Sequence, residues 1–259
     1  MLTGKVHIVM IIFNTDLDNT MIFSYKHDIG LDKMNVELYQ GREISFITKK
    51  THDMLLQVKE KVLFVPTTTR TVEQYQRIDL GIGDIKYALA CNGGVLLIDG
   101  VEDDAWYQES LALVKDSNEE LKKAEELLEV EKRRTFELRN IKGLFIFTKC
   151  DEPENVVEYL KGELDTDKVE VFNNGVKVYV VPKNLSKGNA IIRFKKYMNG
   201  DMVIAAGDSE FDITMFDKAD VAIAPKALAE EFDLPEKTIC MPEIKVFSEE
   251  VLDYVLSCN

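Results

Sequence analysis

The chain has 259 residues, enough for one large domain or for a core carrying an inserted second unit. With 46% hydrophobic and 30% charged residues it has the composition of an ordinary globular protein. A net charge of -14 argues against a nucleic acid or an anionic membrane as partner, and any anionic substrate would need a local cation.

The four cysteines (Cys91, Cys150, Cys240 and Cys258) form no CxxC pair, so reduced thiols in a cytoplasmic protein are expected. The three histidines, His7, His27 and His52, form no cluster with them, which disfavours a zinc site and leaves them structural or surface residues. No apolar run reaches the 18 or so residues of a membrane span, and the N-terminal run lacks the marks of a secretion signal.

In chain order, "VHIVMIIF" (6–13) is a short continuous apolar run, suited to a parallel strand buried on both faces. "VELYQGREISFIT" reads as a hairpin around Gln40-Gly41. A helix is expected at "THDMLLQVKEK", a strand at "VLFVPTTT", a helix at "TVEQYQRI", and extended chain at "YALACNGGVLLIDG". This alternation predicts an α/β core, a doubly wound parallel sheet. The middle differs. "SNEELKKAEELLEVEKRR" is a charged helix, read as a solvated face, and "RTFELRNIKGLFIFTKC" is strand-like. "PENVVEYLKGEL" places proline at a helix start, and "KVEVFNNGVKVYVVP" is a pair of strands around Asn-Gly. The doubly wound pattern then resumes with a helix at "SKGNAIIRFKKYM", strands at "MVIAAGD" and "VAIAP", and a last helix at "SEEVLDYVLSC". Residues 1–100 and 183–259 are therefore expected to form the core, and 101–182 an inserted α+β unit.

In open parallel sheets, functional groups gather beyond the carboxyl ends of the strands. Three predicted strands end in Asp16 and Asp18, in Thr67, Thr68 and Thr69, and in Asp208 with Asp212, while Lys187 opens a helix. Taken singly, such residues are most often turns, caps or solvated charges. Together they form a set of carboxylates, hydroxyl and lysine suited to Mg²⁺-dependent phosphoryl transfer.

The segments "DLDNT", "PTTTR", "SKG" and "GDSEFD", in that order, resemble the four motifs of the haloacid-dehalogenase-like phosphatases. The similarity is to the branch with a large inserted α/β cap, which includes sucrose-phosphate, mannosylphosphoglycerate and Cof-type enzymes, and it covers nearly the whole chain. It implies a Mg²⁺-dependent phosphatase acting on a small phosphorylated metabolite, a sugar phosphate above all. Asp16 would be the nucleophile. Asp18 would be the general acid and then the base. Asp16, Asp18 through its carbonyl, Asp208 and Asp212 would hold the metal or its water. Lys187 would neutralise Asp16 and the phosphate. Thr68, with Thr67 as the alternative, would bind phosphate. Arg70 and Asn92 are candidate substrate contacts, and Arg139, Lys149 and Lys183 are cations of the inserted unit. A phosphomutase and a non-catalytic binding protein are the competing readings. The chain departs from the usual pattern at Asn19 and Thr69, where glycine is common, and at Phe211, where asparagine is common.

Overall fold

In a computed structural model of the chain, residues 9–258 are described. His7 and the first three residues of the predicted 6–13 strand lie outside them. Two compact units divide the chain, one comprising the stretches up to Gly93, Leu97–Val101 and from Lys187 onward, the other Gly94–Leu96 and Glu102–Ser186.

The first unit is built on a five-stranded parallel sheet. Its spatial order is Thr238–Met241, Val221–Pro225, Met202–Ala206, Ile11–Thr15, Leu63–Pro66. The first strand starts later than the apolar run and extends through Asn14 and Thr15, because its neighbour begins at Met202 and pairs residue for residue up to Thr15 with Ala206. Ile12, Phe13, Val203, Ile204 and Ile223 are fully buried, as strands covered on both faces require. The short strand Thr238–Met241 was not legible in the sequence; it lies at the sheet edge and only Met241 is buried.

The Lys49–Lys61 helix is capped by the Thr48 hydroxyl and packs against the last helix, Phe247–Ser257. The predicted helix at "TVEQYQRI" is reduced to one turn, Val72–Tyr75, closed by a reciprocal Thr71–Gln74 capping box. Strands Lys33–Tyr39 and Arg42–Thr48 form the expected hairpin. Gln40 and Gly41 both take positive φ (51° and 76°), as a two-residue turn matched to strand twist demands. Tyr87–Ala90, Val95–Ile98 and Val101–Glu102 form a small three-stranded sheet.

The second unit has a four-stranded antiparallel sheet ordered Val169–Asn174, Lys177–Pro182, Phe145–Lys149, Arg139–Ile141. Helices Asn118–Glu129 and Pro153–Glu163 bury Leu121, Leu128, Val156 and Leu160 with Ile146, Val178 and Val180 in one apolar cluster. Asn174 pairs with Lys177, so the turn is Gly175-Val176 rather than Asn174-Gly175. Gly175, at φ 54°, supplies the left-handed residue at the first central position. The helix Asp104–Val114 was missed in the sequence because apolar residues surround it and leave no single stripe.

Helices Lys187–Met198 and Glu210–Lys218 pack closely in the first unit, and one glycine sets their spacing. A Cβ at Gly188 would lie 2.0 Å from the backbone oxygen of Thr214. Gly188→Ala is therefore expected to lower Tm by roughly 3–10 °C, the cost of forcing one methyl into a packed contact, as read by thermal unfolding.

Candidate active site

The site is assembled where parallel strands end. Asp16 follows the Ile11–Thr15 strand and donates its backbone N–H to Ala206 O at 2.9 Å. Thr67 follows Leu63–Pro66 and donates to Thr15 O at 2.7 Å. Gly207 and Asp208 follow Met202–Ala206. Hydrogen bonds between neighbouring strand ends thus bring together residues nearly 200 positions apart in the chain.

Lys187 lies at the centre, at the start of its helix and 1% exposed. Its Nζ donates to Asp16 Oδ1 at 2.5 Å and to Asp212 Oδ1 at 2.6 Å. Burial would lower the pKa of this ammonium, but the two carboxylates reverse that and raise it, so the lysine is charged. Asp212 is fully buried. Its Oδ2 accepts from Asp208 N and Ser209 N at 3.1 Å each and from Ser209 Oγ at 2.9 Å. It is thereby the third residue of its helix and half of a capping box with Ser209. Gly207 leaves the necessary room, since a Cβ there would lie 2.3 Å from Asp212 Cβ.

Carboxylate oxygens of Asp16, Asp208 and Asp212 all lie within 4.8 Å of one another. Burial holds Asp16 well above the ordinary carboxylate range; Lys187 opposes that shift, and Asp212, Asp208 and Asp18 add to it. Asp208 is pushed up to about 7 by burial and by Asp212, against a hydrogen bond from Thr20, whose Oγ1 donates to Asp208 Oδ1 at 3.0 Å. Three acidic groups around one lysine leave excess negative charge, and the donor set is all oxygen, without imidazole or thiolate. That chemistry fits a hard divalent cation such as Mg²⁺.

Asp18 stands apart from the cluster. Both its oxygens are taken by Arg70, from Nε to Oδ2 and Nη2 to Oδ1, each at 2.7 Å. Asn19 in the turn has φ 58°, the left-handed conformation that asparagine tolerates in place of glycine. Thr67 and Thr68 are both fully buried but differ in availability. The Thr67 hydroxyl donates to Val65 O and accepts from Asn14 Nδ2 at 2.9 Å. Thr68 Oγ1 accepts from Arg70 N at 3.2 Å, and its proton has no acceptor among the described residues. Asn92 is buried, takes φ 58°, and donates its backbone N–H to Thr68 O at 2.9 Å, so its backbone braces the threonine loop.

The structure thus brings Asp16, Asp208, Asp212 and Lys187 into one cluster, and pairs Arg70 with Asp18. Thr20, Gly207 and Glu37, which binds Arg70, were missed in the sequence. The Gly-Asp pair in "AAGDSEFD" was the one local signal for Gly207; nothing local marks Glu37. His27 and His52 lie outside the cluster, with His52 Nε2 3.1 Å from Gly81 O.

The sequence profile of the haloacid dehalogenase-like hydrolases matches residues 96–229, more than half of the chain, and the protein belongs to that family. A phosphoglycolate phosphatase from Sulfurisphaera tokodaii is 34% identical over 106 residues, which is 38% of this chain and 42% of that protein. The match therefore spans less than half the length of that relative. Among solved structures, the sucrose-phosphatase of Synechocystis in complex with sucrose and phosphate superposes with a TM-score of 0.59 at 14% identity, over 96% of this chain and 97% of that one. A protein from Thermoplasma acidophilum gives 0.59 at 13% identity, over 97% and 98%. At these identities the likeness is one of fold.

The raised carboxylates set a pH dependence with a definite sign. A carboxyl whose folded pKa exceeds its unfolded value favours folding when protonated, so that stabilisation is present below about pH 4 and is lost as pH rises towards 7. In chelator-treated protein, Asp208→Asn is expected to gain Tm relative to wild type as pH rises from 5 to 8. A Tm of Asp208→Asn that falls relative to wild type over that range would contradict the raised value.

Proposed function

We propose that the protein is a Mg²⁺-dependent phosphatase that hydrolyses a small phosphomonoester, a sugar phosphate above all, through an aspartyl-phosphate. The observation that carries the reading is the buried Lys187 held between Asp16 and Asp212 beside Asp208, at the ends of two parallel strands. Lys187 fixes one oxygen of Asp16, which leaves the other as nucleophile.

In the first step an Asp16 oxygen attacks phosphorus and the bond to the leaving oxygen breaks, with Asp18 delivering a proton to that oxygen. In the second step Asp18 takes a proton from water, the resulting hydroxide attacks phosphorus, and the bond to Asp16 breaks to release inorganic phosphate. The Thr68 hydroxyl, whose proton is uncommitted, serves as phosphate donor, while Thr67 holds its loop to Asn14. Asp16, Asp208 and the carbonyl of Asp18 would hold the cation, with Asp212 supporting it from behind. Bound Mg²⁺ supplies positive charge that offsets the crowded carboxylates and the phosphate dianion.

The second unit is proposed as a cap that encloses the leaving group, as befits a small substrate. No helix among the described residues is long and apolar enough to cross a membrane. The four free cysteines favour a cytoplasmic setting.

The test is a screen of phosphorylated metabolites with Mg²⁺, following free phosphate. Release of phosphate supports the reading, and an isomeric sugar phosphate would instead identify a mutase. Asp16→Asn should lower kcat by more than about 10³-fold with the fold intact, since an amide is not a nucleophile. Turnover within tenfold of wild type would remove Asp16 from that role. Thr68→Ala should raise KM for the phosphoester by about 10-fold or more, through loss of a charge-assisted hydrogen bond. Thr67→Ala should act mainly on Tm, and the reverse pattern would exchange the two threonines.

A further inference from the structure

The Asp18 carboxylate is half exposed, and Arg70 is the side chain that hydrogen-bonds it among the described residues. Arg70 is itself held from behind. Its Nη1 lies 2.9 Å from Glu37 Oε1 and 3.3 Å from the carbonyl of Gln74. Glu37 belongs to the Lys33–Tyr39 strand of the hairpin and is 1% exposed. Its Oε2 accepts from Ser45 Oγ at 2.7 Å, on the facing strand, and its Oε1 also meets Arg77 at 3.1 Å. The Arg77 guanidinium in turn lies 4.8 Å from the centre of the Tyr39 ring. Charge alternates along this chain from Asp18 through Arg70 and Glu37 to Arg77, which lies over the Tyr39 ring of the hairpin.

We propose that Glu37 is a positioning residue for the Asp18 chemistry, acting through Arg70, and that the hairpin is part of the catalytic apparatus. The inference rests on the role given to Asp18 under the proposed function. A free arginine side chain has many rotamers, and ordering it opposes the contact it makes. Here one edge of the guanidinium is anchored by a buried carboxylate and a carbonyl. The other edge therefore meets both oxygens of Asp18 in a fixed orientation. Were Glu37 only a pin for the hairpin, Ser45 and Arg77 would already satisfy it; the contact to Arg70 is what extends it to the site. To act as an acid Asp18 must free one oxygen from Arg70 to carry the proton, and the contact that remains fixes the direction of delivery, so a loosened Arg70 should slow the step that needs an acid more than binding.

The experiment compares kcat/KM for two aryl phosphates with Mg²⁺. Phenyl phosphate has a poor leaving group that needs a proton, and para-nitrophenyl phosphate has a good one that hardly does. Glu37→Gln keeps the volume and the acceptor but removes the charge. It is expected to lower kcat/KM about 10-fold or more on phenyl phosphate and under about 3-fold on para-nitrophenyl phosphate. Arg70→Lys, which keeps charge but loses the fork, should show the same selectivity. The double variant should be no worse than Arg70→Lys alone, because Glu37 acts only through Arg70. Glu37→Asp keeps the inference testable should Glu37→Gln fail to fold.

Equal losses on both esters, no loss on either, or additive losses in the double variant would overturn the role of Glu37. Asp18→Asn separates the two levels. If Asp18→Asn shows the leaving-group selectivity and the Glu37 and Arg70 variants do not, the inference fails and the function stands. If wild type releases phosphate from neither ester, or Asp18→Asn keeps wild-type selectivity, the underlying reading fails as well.

Discussion

At the centre of the first unit a buried ammonium is held between two buried carboxylates. Lys187, Asp16 and Asp212 come from three different segments of the chain, and none could be buried alone as an ion. Removing one member of such a set leaves the others uncompensated, which typically costs about 3–5 kcal/mol. The geometry of the helix carrying Lys187 follows from this constraint, since its first turn must point into the strand ends. Gly188 lets that turn approach Thr214, and Gly207 lets Asp212 fold back over the chain before it. Both glycines are required by close approach of neighbouring atoms.

Charge balance in the cluster gives it a second property. Lys187 cannot neutralise Asp16, Asp208 and Asp212 together, and burial magnifies the residue of negative charge. Such an imbalance favours retained protons, and a bound cation would relieve it. The net charge of -14 makes the same demand on any phosphorylated substrate, because long-range repulsion must be met locally. Lys187 is already shared between Asp16 and Asp212, so any further local positive charge would have to come from a bound cation. Thr68 and the braced loop around it add donors without adding charge.

Asp18 obeys a different logic from Asp16 although only Leu17 separates them. Asp16 is buried against Lys187, while Asp18 is half exposed and paired to Arg70. Two carboxylates with the same chemistry are thus set in different environments. The long hairpin bears on this difference, because Glu37 reaches from it to the back of Arg70.

Much of this was legible in the sequence. The alternation of apolar runs and helices specified a doubly wound core with an interruption, because buried parallel strands need continuous apolar side chains and helices need a repeating stripe. Polar residues closing three predicted strands, with Lys187 opening a helix, singled out Asp16, Thr67, Thr68, Asp208 and Asp212 only in combination, since each alone is most often a turn, a cap or a solvated charge. What tertiary structure alone decided was pairing. The strand beginning at Ile11, the Gly175-Val176 turn and the edge strand Thr238–Met241 are set by register with neighbours, which local pattern does not encode. The contrast between Thr67 and Thr68 depends on Asn14, 53 positions before Thr67, and the hold on Arg70 depends on Glu37 in another element. A residue's type is a local fact, but its hydrogen-bond partner is chosen by packing across the whole unit, and it is the partner that assigns the role.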